Sequence, residues 1–506
     1  MESKVVGTTA AAGRVEGRDV GSFRFLQLER VVSVVSIGCL LALVFYVYAR
    51  GFISLSVDEF SKVMVAWRGL QAPRVWFSWL WLPGHFLLLA IAYIGIGDLL
   101  TASRVVSILG GVVVVFGMYR LCKQIGDSWA GGIAAALCAT HPLVVWLSAT
   151  GLVDILYAAS FFLGLSYYVQ QPRTASHLYI ACALFAISCA FHYNAWVAVA
   201  PLGAVIAFDI WRRRDRLSLS LGLCMIVVVP LAWCIWNWLR DGDFFSFLHQ
   251  QVEESTTTYE KWGASPPSMK SAVFWLVETT LRYNTILVAL AVASVAGLLT
   301  VGKGKRVILI IWFVLLVFTG GFILLFIRGG FPTAFPDRYV LVPSLLMIAL
   351  SSYALSRLVA SQDHYVRVFA VLLFAATLTV NFALTRHPPL PHDRVWEAVM
   401  VADLLRKERG AGVGKVLLES KGSNAVVVQV FLNNPRMIIE DRAIERYPEQ
   451  KSFLMQPKEV IGRFAQENGI DRIAVWSDRV HAHVNEFGLQ SLGRAGSYTV
   501  YSLDKK

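Results

Sequence analysis

Apolar runs close to the length of a membrane-crossing helix recur from residue 31 to about residue 384 of this 506-residue chain. A helix needs roughly 20 consecutive apolar residues to cross the hydrocarbon core of a bilayer. Only 16% of the residues are charged, against the roughly 25% typical of soluble globular proteins. The first run follows about thirty residues of mixed charge and precedes no small-residue cleavage site, which favours a retained anchor over a signal peptide. The pattern therefore predicts a polytopic α-helical membrane protein.

The distribution of charge argues against a nucleic-acid partner. The net charge is +12, but residues 387–506 carry 17 Lys and Arg against 15 Asp and Glu and contribute +2 of it. The remaining +10 lies mostly in short loops between apolar runs, where basic residues set the orientation of membrane helices. We therefore expect membrane lipids, and no nucleic acid, among the partners of the chain.

Eleven of the apolar runs are predicted to be membrane spans, and basic residues cluster at every second turn between them. The predicted spans are residues 31–48, 105–121, 130–147, 155–169, 178–191, 196–210, 219–236, 285–299, 307–327, 339–355 and 368–384. Because short cytoplasmic loops collect Lys and Arg, the N-terminal segment 1–30 and these turns are assigned to the cytoplasmic side. An odd number of spans then predicts that the C-terminus lies outside.

One further apolar run, residues 81–96, is at the lower length limit for a span and starts among the tryptophans Trp76, Trp79 and Trp81. Tryptophan is enriched at the membrane–water interface. Counting this run as a span would place the basic residues of the next loop outside and invert the rest. We therefore predict a juxtamembrane or re-entrant helix here.

The remaining segments divide the chain into a membrane domain and a soluble domain. The membrane domain, residues 31–386, is predicted to carry two large outer loops, 51–104 and 237–282. After the Pro-rich connector HPPLPH the composition becomes that of a soluble protein, and helical patterns alternate with short β-branched runs at 415–418, 472–476 and 498–501. Residues 387–506 are therefore predicted to form a small α/β domain on the outer side.

Three acidic residues are candidates for catalysis. Asp58 and Glu59 lie about ten residues beyond the first span in SVDEFSKVMVAWRGL. A carboxylate there can act as a general base on an acceptor hydroxyl or as a ligand of a divalent cation, while a solvated acidic loop is the alternative. Asp154 begins an apolar span, where helix capping is the alternative role. Because Ser148 and Thr150 are available for capping, function is favoured for Asp154.

Two histidines and a tyrosine are candidates for substrate binding. His85 lies in the apolar segment WLWLPGHFLLLA, where it could bind phosphate or a metal, or hydrogen-bond to a neighbour. His192 and Tyr193 form a polar island with Asn194 between two short spans. These residues are predicted either to line a cavity or to serve as polar turn residues.

The segment RGGFPTAFPDRYVLVP contains Arg328, Arg338 and Tyr339 where a span re-enters the membrane. Arginine at this depth can hold a phosphate or pyrophosphate with forked hydrogen bonds, and interfacial anchoring is the alternative. The soluble tail contains no phosphate-cradling glycine loop, zinc motif or Ser-His-Asp signature. We therefore expect the energy for a reaction to arrive with the substrate.

The order of these segments resembles that of the C-type (GT-C) glycosyltransferases that use polyprenyl-phosphate sugars, such as protein O-mannosyltransferases and lipid A aminoarabinose transferases. The Asp58-Glu59 pair is similar to the acids of that family's first outer loop, and WLPGHFLLLAIAYIGIG resembles its Pro-containing juxtamembrane segment. ASRVVSILGGVVVVFGMYRL resembles the following Arg-led span, HPLVVWLSATGLVDILYA a stretch ending in a family Asp, and PDRYVLVPSLLM the late Arg-Tyr re-entry. The resemblance extends over most of residues 31–386.

The resemblance implies an inverting glycosyltransferase of the cell membrane that moves a sugar from a polyprenyl-phosphate carrier to a lipid, glycan or protein acceptor on the outer face. Asp58 would act as the base or orient the acceptor, and Glu59 and Asp154 would assist. Arg338 and Arg328 would stabilise the departing lipid phosphate, whose negative charge grows as the bond breaks.

Metal dependence and two other classes of function remain as alternatives. Some members of the family have His or a Glu-Lys pair before the juxtamembrane proline, whereas this chain has Trp81 and Leu82 before Pro83. We therefore expect no obligatory metal, with a divalent cation as the alternative. A transporter or flippase of a lipid-linked sugar would use the same acids and arginines without bond cleavage, but such proteins often contain repeated halves, and no repeat is found here. The third alternative is a membrane anchor for an active soluble tail.

Overall fold

The computed structural model describes residues 20–77, 81–171, 174–212, 216–261, 268–300, 305–327, 336–389, 395–407, 414–420, 424–441 and 452–503. Up to residue 389 these residues form a helical membrane region. Its helices are α1 Val20–Ala49, α2 Asp58–Gln71, α3 Pro83–Ile96, α4 Leu99–Ile125, α5 Ser128–Thr140, α6 Pro142–Ser148, α7 Asp154–Tyr168, α8 Ala175–Phe191, α9 Tyr193–Arg212, α10 Arg216–Asp241, α11 Ser246–Lys261, α12 Met269–Thr300, α13 Lys305–Ile327, α14 Leu341–Val359 and α15 His364–Thr385. Within a helix the backbone N–H and C=O groups hydrogen-bond to one another, and lipid offers them no other partners.

Eight helices in the described residues are long and apolar enough to cross a membrane. The candidate spans are Val31–Ala49, Leu99–Ile125, Tyr193–Arg212, Leu217–Asp241, Val273–Val295, Lys305–Leu325, Pro336–Val359 and His364–Thr385. The consecutive helices α5 and α6 provide a ninth if they are counted as one bent span. The predicted spans 155–169 and 178–191 coincide with the shorter helices α7 and α8, of 15 and 17 residues. The prediction of a polytopic α-helical membrane protein is confirmed.

The predicted span 130–147 is broken into two helices that meet at an angle of 60°. The break lies at His141, whose backbone is extended at φ −64° and ψ 127°, immediately before Pro142. A proline disfavours the helical conformation in the residue that precedes it. Sequence hydropathy alone does not detect this bend, because both halves are apolar.

Helix α2 and the turn between α3 and α4 contact the C-terminal domain. Phe60 of α2 packs on Phe431 with ring centroids 5.8 Å apart. The side-chain amide of Asn433 donates to the carbonyl of Gly97 at 2.9 Å, and its oxygen accepts from the backbone N–H of Leu99 at 3.1 Å. We call the surface of the membrane region that carries these contacts the domain side.

The C-terminal domain is a five-stranded mixed sheet with flanking helices, which confirms the prediction of a small α/β domain. Its strands are β1 Lys415–Leu418, β2 Ile438–Glu440, β3 Ile470–Val475, β4 Gln490–Ala495 and β5 Tyr498–Ser502, and its helices are α16 Val395–Lys407, α17 Asn424–Phe431, α18 Lys458–Asn468 and α19 Asp478–Asn485. The strand order is β2-β1-β3-β5-β4, with β2, β1 and β3 parallel and β5 antiparallel to both β3 and β4. Two strands were not predicted from the sequence: β2 is short and β4 is polar.

Candidate active site

Asp58 is the first residue of α2 and lies on the domain side of the membrane region. Its backbone N–H donates to the hydroxyl of Ser56 at 3.2 Å, which orders the start of the helix. Its carboxylate accepts a hydrogen bond from the Arg338 guanidinium at 2.9 Å. The Asp58 side chain remains 24% exposed, whereas that of Arg338 is 6% exposed. Two residues that are 280 positions apart in the sequence therefore form one ion pair.

Lys62 is a site residue that the sequence analysis missed. It lies four residues after Asp58, on the same face of α2, and is only 3% exposed. Its ammonium group is 5.4 Å from the centroid of the Trp81 ring, a cation–π contact. The spacing from Asp58 was the available signal, but a lysine in an amphipathic stretch usually faces solvent.

The charges around Asp58 favour its ionised form. Burial alone would raise the pKa of the Asp58 carboxyl, but the charges of Arg338 and Lys62 and the hydrogen bond from Arg338 together lower it below its ordinary value. Burial and the like charge of Arg338 lower the pKa of Lys62 to about 8, against the opposing effect of Asp58 and Asp154. The ionised Asp58 carboxylate therefore lies next to two buried cations, Lys62 and Arg338.

Glu59 points to different partners from those of Asp58. It is fully buried and forms an ion pair with Arg104 of α4 at 2.8 Å. The hydroxyl of Ser54 donates to its other oxygen at 2.7 Å, and the Arg104 guanidinium also donates to the carbonyl of Ile53. Burial raises the pKa of Glu59, while the charge of Arg104 and the hydrogen bond from Ser54 oppose the shift. These contacts fix the loop before α2 against α4.

Asp154 begins α7 and is completely buried. Neither of its carboxylate oxygens accepts a hydrogen bond from another described residue. Ser148 and Thr150 do not cap the helix, whose first turn has no side-chain cap, and their hydroxyls donate to the carbonyls of Val144 and Leu147. Asp154 lies within electrostatic range of both Arg338 and Lys62. The structure thus places Asp58 and Asp154 near the same two cations, Arg338 and Lys62. Glu59 pairs with a different cation, Arg104.

The two histidines have different surroundings. His85 of α3 is 2% exposed, and neither ring nitrogen has a hydrogen-bond partner among the described residues. His192 accepts the backbone N–H of Asn194 on Nδ1 at 3.0 Å and stacks on the Tyr157 ring at a centroid distance of 5.3 Å. This bond leaves Nε2 of neutral His192 as the protonated nitrogen.

A cavity of about 520 Å³ opens at this cluster. We call the part lined by Asp58, Lys62 and Arg338 its charged end, and Glu254 of α11 is a fourth charged lining residue. The predicted binding residues His192, Tyr193 and Tyr339 also line the cavity. The lining residues are Asp58, Lys62, Trp81, His192, Tyr193, Asn194, Trp196, Val197, Phe245, Phe247, Leu248, Gln251, Glu254, Ser255, Gly321, Phe322, Leu324, Leu325, Arg338 and Tyr339. Glu59, Asp154 and His85 are not among them. The lining therefore combines the charged end with many apolar side chains.

The walls of the cavity come from helices that are distant in sequence. Tyr193 of α9 stacks on Phe247 of α11 with ring centroids 4.5 Å apart, and its hydroxyl accepts from the indole N–H of Trp233 at 2.8 Å. Besides Phe247 and Leu248, the same helix α11 contributes the polar residues Gln251, Glu254 and Ser255, whereas α13 contributes only apolar groups and a glycine. The polar lining residues of α11 are therefore distinct from the wholly apolar lining of α13.

The turn that carries Arg338 is held by a separate set of contacts. The neighbouring Asp337 accepts a hydrogen bond from the hydroxyl of Tyr283 at 2.6 Å and lies 3.5 Å from the Arg282 guanidinium. Arg328, the other arginine predicted to bind phosphate, lies outside the described residues. Within the described ranges, no group of three or more His, Cys, Asp or Glu side chains is placed to hold a metal ion.

Solved structures with the same arrangement of helices are GT-C glycosyltransferases. ArnT from Cupriavidus metallidurans bound to undecaprenyl phosphate superimposes with a TM-score of 0.55 at 13% identity, covering 96% of this chain and 98% of that chain. The apo state of the same protein gives a TM-score of 0.56 at 11% identity, with coverages of 95% and 98%. The oligosaccharyltransferase of Archaeoglobus fulgidus gives 0.53 at 13% identity and covers 88% of this chain and 69% of that chain. At these identities the likeness establishes the fold, and the predicted GT-C fold is confirmed.

Sequence comparison gives a weaker signal. The chain is 28% identical over 132 residues to the putative mannosyltransferase YycA of Bacillus subtilis, which covers 25% of this chain. The match spans 19% of the length of that relative. No family model matches the sequence.

Proposed function

We propose that this chain, which has the GT-C fold, is a glycosyltransferase that moves a sugar from a polyprenyl-phosphate carrier to an acceptor with inversion at the anomeric carbon. The observation that carries the proposal is the cavity that brings the Asp58 carboxylate together with the cations Lys62 and Arg338 and with many apolar side chains. The similarity to a transferase bound to undecaprenyl phosphate supports a lipid phosphate as donor. We assign the domain side to the outer face of the cell membrane, as the distribution of basic residues predicts.

Asp58 is the proposed base. Its lowered pKa keeps it ionised near neutral pH, so that it can accept a hydrogen bond from an acceptor hydroxyl. As the acceptor oxygen bonds to the anomeric carbon, the hydroxyl becomes acidic and its proton passes to Asp58. The bond between the anomeric carbon and the phosphate oxygen breaks at the same time, and its electron pair remains on the phosphate. Attack from the face opposite the phosphate inverts the configuration.

Lys62 and Arg338 are the proposed ligands of the departing phosphate. Both side chains line the cavity and are almost fully buried, so their charges can stabilise the negative charge that grows on the leaving oxygen. A phosphate in the cavity would compete with Asp58 for the Arg338 guanidinium, which now donates to Asp58 at 2.9 Å. Donor binding would thereby release Asp58 toward the acceptor. Arg328 remains a prediction for the same phosphate.

The apolar lining of α13 and the polar residues of α11 suggest separate paths for donor and acceptor. The apolar side chains Phe322, Leu324 and Leu325 of α13 suit the polyprenyl chain. The polar residues Gln251 and Ser255 of α11 suit a hydroxylated acceptor, which is a lipid, glycan or protein. Among the other predicted residues, we assign His192, Tyr193 and Tyr339 to the sugar, because they line the same cavity.

The remaining predicted residues are assigned supporting functions. Asp154 acts through Lys62 and Arg338, since its charge lies within electrostatic range of both. Glu59 acts through its ion pair with Arg104, which fixes the loop before Asp58. His85 lies within electrostatic range of Lys62 and His192, so we assign it to the shaping of the phosphate site.

The test is the turnover of Asp58→Asn in nanodiscs with a panel of radiolabelled polyprenyl-phosphate sugars and total cell-envelope acceptors. We expect a loss of about 100-fold or more, the usual contribution of a positioned base. The matched control is Asp98→Asn: Asp98 caps α4 by accepting the N–H of Thr101, and asparagine caps equally well. Full turnover by a folded Asp58→Asn protein would contradict the assignment.

A second measurement separates transfer from transport. Wild-type protein in liposomes is given a fluorescent polyprenyl-phosphate sugar, and both its sidedness and its glycosidic bond are followed. A transferase releases polyprenyl phosphate in an acceptor-dependent reaction. Movement of the intact donor across the bilayer, without release of polyprenyl phosphate, would favour the transporter instead.

A further inference from the structure

A second cavity, of about 490 Å³, lies where the membrane region meets the C-terminal domain. It is lined by the end of α1 and the loop that follows, by the end of α15, and by Trp396 at the start of α16. None of the lining residues belongs to the cavity that contains Asp58. Its size is within the range of small-molecule sites, roughly 300 to 1,000 Å³.

The lining of this second cavity is cationic. Arg50 and Arg386 follow α1 and α15 directly, and both line it together with His387. Neither guanidinium forms an ion pair with another described residue, and no Asp or Glu is among the described residues that line the cavity. The dipole of each helix favours one cation at its C-terminus, but it does not offset the repulsion between two cations that share a cavity. An anion bound between the two guanidinium groups would offset this repulsion.

The position of the second cavity favours a lipid as the source of that anion. The candidate spans in α1 and α15 are only 28% and 22% buried, so both helices present most of their surface to lipid. Tyr46 and Phe382 pack against each other beneath the arginines, with ring centroids 6.4 Å apart. Trp396 is 48% exposed, and such amphipathic rings are typical of the headgroup level. Basic residues at this level attract anionic lipids.

One wall of the second cavity is the loop that holds Glu59. Ile53 and Ser54 line the cavity, and on their other side the carbonyl of Ile53 accepts from Arg104 while the hydroxyl of Ser54 donates to Glu59. An occupant would therefore reduce the freedom of the loop that leads into α2. We propose that the headgroup of an anionic phospholipid binds between Arg50 and Arg386 and orders residues 51–56.

The experiment is hydrogen–deuterium exchange of the full chain in nanodiscs of phosphatidylcholine with increasing fractions of phosphatidylglycerol. We expect the anionic lipid to slow exchange of the backbone amides of residues 51–56. Each Arg→Gln change should raise the phosphatidylglycerol fraction needed for half-maximal protection about fivefold, the usual contribution of one basic residue at a membrane surface. In Arg50→Gln/Arg386→Gln the protection should be lost.

Two control variants separate this site from general electrostatics and from misfolding. Arg74→Gln removes an exposed charge outside the lining of the cavity and should leave the protection intact. Arg50→Lys/Arg386→Lys keeps both charges and should retain it. Equal protection without phosphatidylglycerol, or protection that persists in the double Gln variant, would overturn the proposal. So would equal protection by inorganic phosphate in phosphatidylcholine nanodiscs, which would identify a soluble anion as the ligand.

Discussion

Replacing Lys62 with methionine should make the protein more stable and its donor binding weaker. In the folded protein burial and Arg338 lower the pKa of Lys62 from 10.5 to about 8. Between these two values the unfolded chain binds more protons than the folded one, so stability rises with pH in that window. Below pH 8 the charged lysine therefore costs the ligand-free protein about 3 kcal/mol, since one pKa unit corresponds to roughly 1.4 kcal/mol.

The same charge should stabilise the bound donor. Removing a hydrogen bond to a charged group costs roughly 1.5–3 kcal/mol, which corresponds to a loss of about 10-fold to 150-fold in affinity for polyprenyl phosphate. Methionine is nearly isosteric with the buried part of the lysine chain, so little packing is lost. Thermal unfolding of ligand-free protein in nanodiscs measures the first effect, and binding of polyprenyl phosphate to the same sample measures the second.

The pH profile provides the sharpest test of Lys62. In the wild type, binding of polyprenyl phosphate should fall as pH rises above about 8, because Lys62 loses its proton there. Lys62→Arg keeps its charge at all accessible pH values and should lack this alkaline limb, whatever its affinity at pH 7. If wild type and Lys62→Arg show the same alkaline limb, or if Lys62→Met binds as tightly as wild type, the reasoning is refuted.

Two further substitutions test the supports of the site. Arg104→Met leaves the fully buried Glu59 without its cation and should destabilise the protein by about 3–5 kcal/mol in thermal unfolding, an effect that Glu59→Gln in the same chain should partly reverse. Unchanged stability of Arg104→Met would contradict this. Tyr283→Phe removes the hydrogen bond to Asp337 and should raise the KM for the donor more than it lowers kcat, because it loosens the turn that carries Arg338. A fall in kcat alone would point to another role for Tyr283.

The sequence predicted the helices of the membrane region well, because apolar length and the positions of basic residues follow directly from the bilayer. It also assigned Asp58, His192 and Arg338 to one side of the membrane, and the structure brings these three to one cavity. Which of them touch could not be predicted, since the Asp58–Arg338 contact joins segments 280 residues apart. Lys62 was overlooked because its burial depends on Trp81, which comes from a different segment.

The adjacent acids Asp58 and Glu59 illustrate what periodicity alone leaves open. Successive residues of a helix point about 100° apart, so neighbours in sequence face different surroundings. At the start of α2 one direction leads to the cavity and Arg338, and the other leads to Arg104 and Ser54. The partly exposed Asp58 can reach a substrate, whereas Glu59 is fully enclosed by protein. In the proposed mechanism Glu59 therefore fixes the position of Asp58, so the acidic pair combines a proposed base with a residue that anchors the loop before it.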